Sequence, residues 1–172
     1  MHSRIRHPER VSQTELDQYL NAGWRCTGQA IYTSHFMRFP PETEGRIYST
    51  IPTRLNLRGY RFRKSLRKIY RKVHRNFEVQ AGMPLVWDQE MEQVHKVYQR
   101  AFPDRPLADL EVYQSKPDGP FTFDTHCVKV YHGEELVAFS VFNLGEESLY
   151  SSQGIYLPSW GKYSLGFFTM LE

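Results

Sequence analysis

The chain has 172 residues, of which 40% are hydrophobic and 15% aromatic, and its formal net charge is +3; this suffices for one well-buried domain, expected to span residues 1–172. No stretch approaches the roughly 20 apolar residues that span a bilayer, and repeats and low-complexity segments are not evident, which excludes a membrane-spanning or repeat protein. Cys26 and Cys127 lack CxxC or Cys/His ligand spacing and the N-terminus lacks a secretory signal, so we expect a soluble cytoplasmic protein with no membrane partner.

The first part of the chain predicts one helix and two strands. The pattern Ser-Gln-Thr-Glu over residues 12–15 is a capping box, which predicts a helix over residues 13–21 that Gly23 ends. Two β-like stretches follow, from Cys26 to Phe39 and from Arg46 to Leu57. A Pro-Pro pair and a polar turn separate them, so we expect a hairpin.

The segment from Arg46 to Phe77 carries eleven of the 22 Arg and Lys residues of the chain and not one Asp or Glu. The rest of the chain holds eleven basic and nineteen acidic side chains. This asymmetry indicates a segment that meets an anion.

The second half of this basic segment predicts an amphipathic helix with Ser65 as its N-cap. Its apolar face carries Leu66, Ile69, Tyr70, Val73 and Phe77. The opposite face and the preceding loop carry the candidate anion-binding residues Arg61, Arg63, Lys64, Arg67, Lys68, Arg71, Lys72 and Arg75. Such a surface suits a phosphate backbone. The alternatives are a solvated helix face and a membrane surface, which the core-like apolar stripe disfavours.

The middle of the chain predicts a second helix and a long loop. Asp88 is the N-cap of this helix, and Pro103 ends it. Its predicted buried stripe comprises Met91, Val94, Tyr98, Ala101 and Phe102. Residues 104–120 have the Pro, Asp and Gly content of a long functional loop or lid rather than of a linker between domains.

The last part of the chain predicts a β-meander followed by a helix. Strands are expected over about 125–131, 136–143 and 148–157, separated by glycine-containing turns. A helix then opens at Ser164, and the sequence ends at Glu172 after barely two turns. Because apolar side chains of this helix are already committed to packing, we expect that further structure normally follows and that the chain is a fragment or a shortened form.

This order of elements resembles that of the acetyltransferase-like (GNAT) fold, in which a helix N-terminus after the meander holds the pyrophosphate of an acyl donor. We therefore expect an α+β fold with a GNAT-like mixed sheet, an antiparallel meander flanked by helices, and a truncated last helix. The usual acyl-CoA pattern Q/R-x-x-G-x-G/A is absent, because residues 156–166 read YLPSWGKYSLG. An ordinary acetyl-CoA enzyme is therefore disfavoured.

Ordered fragments over about residues 15–172 resemble the aminoacyl-tRNA–protein transferases, which include arginyl- and leucyl-transferases. Residues 134–143, 148–152 and 156–166 look like successive pieces of the catalytic region of that family, and the last is the most specific. Residues 60–68, YRFRKSLRK, are similar to its basic R-x-S-x-R-R/K stretch. An aromatic residue, Tyr98, falls in the helix before the catalytic region, as in the family. The N-terminal cysteine cluster typical of the family is missing from this sequence.

The resemblance implies transfer of an amino acid, of the arginine or leucine type, from charged tRNA to the N-terminal amine of an acceptor protein. The aminoacyl ester is already activated, so the reaction needs positioning, proton removal and oxyanion stabilisation but no side-chain nucleophile. Charged tRNA is the co-substrate, and no cofactor is implied. The candidate anion-binding residues would then contact tRNA, and Arg63, Ser65, Arg67 and Lys68 match the family stretch directly.

For the aminoacyl end of the tRNA, the candidates are hydroxyls and backbone groups near the end of the chain. They are Ser151, Ser152, Tyr156 and the predicted helix N-terminus at Ser164, Leu165 and Gly166. Strand hydroxyls that face solvent and a simple N-cap serine are the alternative interpretation. Asp124 and His126 could touch the incoming amine, with His126 as base, although a structural histidine is the alternative. The seven histidines have no metal-ligand spacing, so no metal is expected.

Two other functions fit the same residues. A small-molecule N-acyltransferase that uses acyl-CoA would share the fold, and acyl-CoA binding instead of tRNA binding would distinguish it. A non-catalytic RNA-binding module would use aromatic side chains interleaved with the cations, namely Tyr60, Phe62, Tyr70 and Phe77. No RNP, KH or zinc-knuckle motif supports the module specifically. The oligomeric state is left open.

Overall fold

The computed structural model of the protein describes residues 3–38, 47–103, 108–116 and 119–172, and over these ranges it is an α+β fold with antiparallel sheets. The strands are β1 Ser3–Arg6, β2 Arg25–Thr27, β3 Ala30–Ser34, β4 Phe36–Arg38, β5 Ile47–Ser49, β6 Glu78–Pro84, β7 Thr125–His132, β8 Glu135–Leu144 and β9 Leu149–Tyr156. The helices are α1 Gln13–Asn21, α2 Lys64–Asn76, α3 Gln89–Ala101, α4 Ala108–Ser115 and α5 Leu165–Phe168, with a 3₁₀ helix over Pro158–Tyr163. No helix within these ranges has the length and apolar character needed to cross a bilayer.

The N-terminal part forms a three-stranded sheet in the order β1-β3-β2, with α1 beside it. The predicted helix and its capping box are confirmed, since Ser12 and Glu15 bond each other's backbone. The predicted strand from Cys26 to Phe39 is wrong in its extent, because a turn at Gly28 (φ 52°) divides it. The predicted hairpin is confirmed in part, because β4 pairs with β5; its turn, Phe39 and Arg46 lie outside the described residues.

The predicted strand to Leu57 ends early, at Ser49. Pro52 has no N–H for a ladder, and the residues from Ile51 to Leu57 are exposed and irregular. The segment therefore reaches α2 without regular structure.

The main sheet has the order β6-β7-β8-β9, and every pair in it is antiparallel, so the parallel pairing of the expected mixed sheet does not occur among the described strands. The three predicted meander strands are confirmed as β7, β8 and β9. The sequence did not predict β6, whose side chains are mostly exposed and so carry no apolar alternation. Its pairing with β7, more than 40 residues away, supplies the strand that local periodicity could not show.

One face of the main sheet packs against α3 and α4. Asp88 caps α3 by accepting a bond from the Met91 N–H at 2.9 Å, as predicted, and it also accepts a bond from Lys129 of β7. The predicted stripe is buried at Met91, Val94 and Tyr98, and Phe102 packs partly buried against the same core, but Ala101 is exposed. The prediction of a loop over 104–120 is wrong where α4 forms; residues 104–107 and 117–118 lie outside the described ranges.

The opposite face of the main sheet packs against α2, the 3₁₀ helix and α5. Val73 of α2 and its C-cap residue Phe77 join Leu165 and Phe168 of α5 in one buried cluster on Val130, Val137 and Ala138. The N-cap of α2 is Arg63 rather than the predicted Ser65, and no side chain bonds the cap. The helix therefore begins two residues earlier than its serine suggested.

The last helix is much shorter than predicted. Ser164 has a left-handed backbone (φ 57°, ψ 41°) between the 3₁₀ helix and α5, and α5 is a single turn of four residues. Gly154 and Gly166 let this turn lie directly on β9. A Cβ at Gly154 would be 2.8 Å from the Gly166 carbonyl oxygen, so no larger residue fits there without displacing α5.

A carboxylate from α1 holds the turn between β8 and β9. Asp17 accepts hydrogen bonds from the Ser148 hydroxyl and, at 2.9 Å, from the Glu147 N–H. Burial alone raises the pKa of Asp17, but these hydrogen bonds together outweigh it and lower the pKa below its ordinary value of 3.8. The contact ties the N-terminal part of the chain to the main sheet.

We predict that Asp17→Asn lowers the free energy of unfolding at neutral pH by roughly 1 kcal/mol, because a charge-assisted acceptor is lost at a partly exposed site. The folded-state pKa lies below the unfolded one, so this stabilisation is present above about pH 4 and is lost as the pH falls through the folded-state pKa. Urea titrations of both proteins between pH 7 and pH 2 measure it. The exposed Glu9→Gln is the control, and a difference that stays constant with pH would contradict the prediction.

Candidate nucleic-acid interface and adjoining pocket

All eight predicted anion-binding side chains are exposed. Six of them lie along one face of α2, where a shallow groove of about 640 Å³ runs between their extended side chains. This surface, called the basic face below, is lined by Lys64, Arg67, Lys68, Arg71, Lys72, Arg75 and Asn76. Arg61 and Arg63 extend the positive charge into the segment before the helix.

The way in which α2 packs on the sheet explains why its cations are exposed on one side. Val73 is fully buried and Phe77 is 7% exposed, so the side of α2 that carries them faces the sheet. Residues three and four positions apart share a helix face, so Arg67, Arg71 and Arg75 align on the outer side. The 13 residues of α2 extend about 20 Å, a length that several successive phosphates would fill.

The charges of the basic face are not compensated by carboxylates in the described part of the chain. The ion pairs within those ranges use Lys96, Lys129, His74 and His126, and none uses an Arg or Lys of α2. Lys72 donates to the Lys162 carbonyl at 2.9 Å and lies 4.3 Å from the centre of the Tyr163 ring. A row of exposed cations without counter-charges attracts a polyanion.

A pocket of about 330 Å³ opens on the same face of the main sheet, beyond α5. It is lined by Ala81, Gly82, Val128, Ser140, Phe142, Leu149, Ser151, Thr169, Met170 and Glu172. Ser140 is buried and donates to the Thr169 carbonyl at 3.3 Å, while Leu149 and Met170 are about half exposed. The pocket thus combines an apolar floor with a few hydroxyls and one carboxylate.

Of the serines and the tyrosine predicted for the aminoacyl end, only Ser151 lines this pocket. Ser152 is the extra residue of a β-bulge, because the register pairs Phe142 with Ser151 and Val141 with Gln153. Tyr156 packs against Tyr98, with ring centres 5.4 Å apart, and supports Gly166 of α5. Its role in the structure is packing.

His126 lies beside the pocket, since its ring stacks on Phe142 at 5.8 Å. Its Nε2 is 2.8 Å from Asp124 Oδ1, and its Nδ1 is 3.0 Å from the Gly82 carbonyl oxygen. Both partners are acceptors, so both bonds form only when both ring nitrogens carry protons. The contact with Gly82 ties β7 to β6.

The predicted helix N-terminus at Ser164 to Gly166 lies at the start of the short helix α5. Helix α5 is one turn long, Ser164 makes no capping bond through its side chain, and Leu165 is fully buried in the core. Gly166 lies against Tyr156 and β9. These residues position α5, and with it Thr169 and Met170 at the pocket.

Two groups at the pocket were missed at the sequence level, Ser140 and the cluster of Glu172 with Tyr70 and His74. His74 Nε2 is 3.1 Å from Glu172 Oε2. Burial, and then the charge and hydrogen bond of Glu172, raise the pKa of Tyr70 above its ordinary value of 10.0. A single serine within the apolar run of β8 was the available signal for Ser140, but no local pattern pairs α2 with Glu172.

The described residues therefore present a basic face and a small pocket on one side of one sheet, and the contact of His74 with Glu172 joins them. No protein-family model matches this chain, and no curated protein matches its sequence. A function is accordingly inferred from the geometry of these two surfaces.

Proposed function

We propose that the protein is an aminoacyl-tRNA–protein transferase of GNAT-like fold, which moves an amino acid of the arginine or leucine type from charged tRNA to the N-terminal amine of an acceptor protein in the cytoplasm. The observation that carries the proposal is the basic face, where six exposed Arg and Lys side chains on one helix have no carboxylate partner among the described residues. A surface of this kind favours binding to a sugar-phosphate backbone.

The topology supports the GNAT-like part of the proposal. Helix α3 and the antiparallel series β7-β8-β9 that leads to α5 follow the order expected from the sequence, and β6 and α4, which the sequence did not predict, add to them. The 3₁₀ helix and the single turn of α5 replace a glycine-rich loop and a long helix N-terminus. That difference favours tRNA over acyl-CoA as the acyl donor.

The pocket beside α2 supports the reaction. In the proposed step the acceptor amine nitrogen attacks the ester carbonyl carbon, the new peptide bond forms, the bond to the terminal ribose oxygen breaks, and the proton of the amine ends on the departing ribose hydroxyl. Ser151 lines the pocket wall, and we propose that its hydroxyl orients the aminoacyl group. Because both nitrogens of His126 are engaged, we propose that it positions the β6–β7 edge of the pocket rather than acting as the base.

A transfer assay tests the proposal. The protein is incubated with tRNA charged with labelled arginine or leucine and with an acceptor protein that has a free N-terminus. We expect label in the acceptor, and none in the same acceptor after N-terminal acetylation, because the nucleophile is then removed. Salt-dependent tRNA binding without transfer would contradict the proposed transferase activity and favour a non-catalytic RNA-binding module. Binding of acyl-CoA but not of tRNA would favour an N-acyltransferase that uses acyl-CoA.

A further inference from the structure

The basic face continues at its C-terminal end into a cluster of aromatic rings that local sequence patterns did not single out. Trp160 of the 3₁₀ helix and His132 at the end of β7 have ring centres 4.5 Å apart. Tyr163 lies 5.7 Å from Trp160. We call these three residues the stacking platform.

A buried phenylalanine holds the three rings of the stacking platform in place. Phe77, the C-cap residue of α2, is buried and contacts each of the three rings edge-on, at 5.7 Å from His132, 5.3 Å from Trp160 and 4.9 Å from Tyr163. His132 is exposed and Trp160 and Tyr163 are half-buried, so the rings are held by the core and still reach the surface. A rigid, partly exposed aromatic group of this kind is suited to stacking on a planar ligand.

Lysines connect the platform with the basic face. Lys72 lines the groove of α2 and also lies 4.3 Å from the centre of the Tyr163 ring. Lys162 lies 5.3 Å from the same ring. Two ammonium groups beside the rings would repel a cationic ligand such as a methylated lysine, and they favour a planar group that carries a phosphate.

We infer that the stacking platform binds an unpaired nucleobase of an RNA whose sugar-phosphate backbone lies along α2. This inference rests on the proposed function and deepens it, because it defines the RNA as one with a single-stranded segment beside its duplex. Aromatic and histidine side chains bind single-stranded RNA in this way, with cations on the adjacent phosphates.

The platform and the pocket lie at opposite ends of one strand. Strand β7 runs from His126 beside the pocket to His132 in the platform, which separates the two surfaces by roughly 20 Å. A single strand of a few nucleotides covers this distance. Because α2 and α5 cover this face of the sheet, an RNA end held at Trp160 would pass over them to reach Ser151.

The test compares two RNA hairpins of equal length and charge, one with a four-nucleotide 3′ overhang and one whose overhang consists of abasic nucleotides. Stacking of one base predicts that the wild-type protein binds the first hairpin about tenfold more tightly, with the same salt dependence for both. Trp160→Leu keeps apolar volume against Phe77 but removes the large ring, so it should abolish the difference and retain binding of the abasic hairpin.

The matched control is Trp24→Leu, since Trp24 is also half-buried among a tyrosine and an arginine but lies in the N-terminal part of the chain. It should keep the tenfold difference. His132→Ala, at an exposed position, provides a second variant if Trp160→Leu does not fold, and should reduce the difference. Equal binding of both hairpins with intact salt dependence would overturn the inference alone; binding of neither would overturn the proposed function as well.

Discussion

Changing Arg67, Lys68, Arg71 and Arg75 together to Glu should weaken binding of tRNA at least about 100-fold at moderate salt. Each of these exposed cations lines the basic face. Each phosphate contact that is lost reduces the number of counterions released when tRNA binds, and so weakens binding. The slope of log affinity against log salt should fall by about three to four units for four lost contacts. Titration of labelled tRNA across a salt series measures both quantities. Lys72 is left unchanged because it bonds the Lys162 carbonyl.

A variant with the same change in net charge separates the basic face from a general charge effect. Arg4, Arg10, Arg100 and Lys116 are exposed and lie outside α2, and their change to Glu also lowers the net charge by eight. This control should bind tRNA within a few-fold of the wild type at high salt, and its salt slope should stay close to that of the wild type. Equal losses in the two variants would show that α2 has no special role.

Phe168→Ala should lower the free energy of unfolding by about 3–5 kcal/mol, the range for deletion of a buried aromatic side chain. Phe168 is fully buried in the cluster that holds α2, with its ring 5.8 Å from Tyr70 and 5.3 Å from His74. Both the transfer of the ring to water and the cavity left between α2 and the sheet contribute. Urea unfolding followed by circular dichroism measures the loss.

The neighbouring residue is the natural control for this prediction. Phe167 is 54% exposed on the same turn, so Phe167→Ala should change the unfolding free energy by no more than about 0.5 kcal/mol. The two variants have the same composition and differ only in which side of α5 is truncated. Similar stabilities for the two would mean that α5 does not anchor α2.

The spacing of apolar residues along the sequence predicted several of the helices and strands. The stripe of α2 and the capped helix α3 were found because each presents apolar residues at helical spacing to one core cluster, and β7 to β9 were found as β-like runs separated by glycine-containing turns. Strand β6 and helix α4 were missed for opposite reasons. The first has exposed side chains and depends on a distant partner, and the second is hidden by the Pro, Asp and Gly residues around it.

The candidate site was likewise predicted from the sequence only in part. The cations of α2 are contiguous in sequence, so composition alone located them. The pocket joins β6, β8, β9 and the end of the chain, and such contacts between distant residues leave no local pattern. Ser151 was found through the family resemblance, whereas Ser140 and Thr169 required the fold.

The close approach of Gly154 to Gly166 fixes the position of α5 relative to β9. Backbone meets backbone there, so no flexible side chain can absorb a displacement between β9 and α5. Helix α5 in turn carries Phe168 against Tyr70 and His74 of α2. We therefore expect a shift of the strand that bears Ser151 to be transmitted through this turn, and through Phe168, to α2.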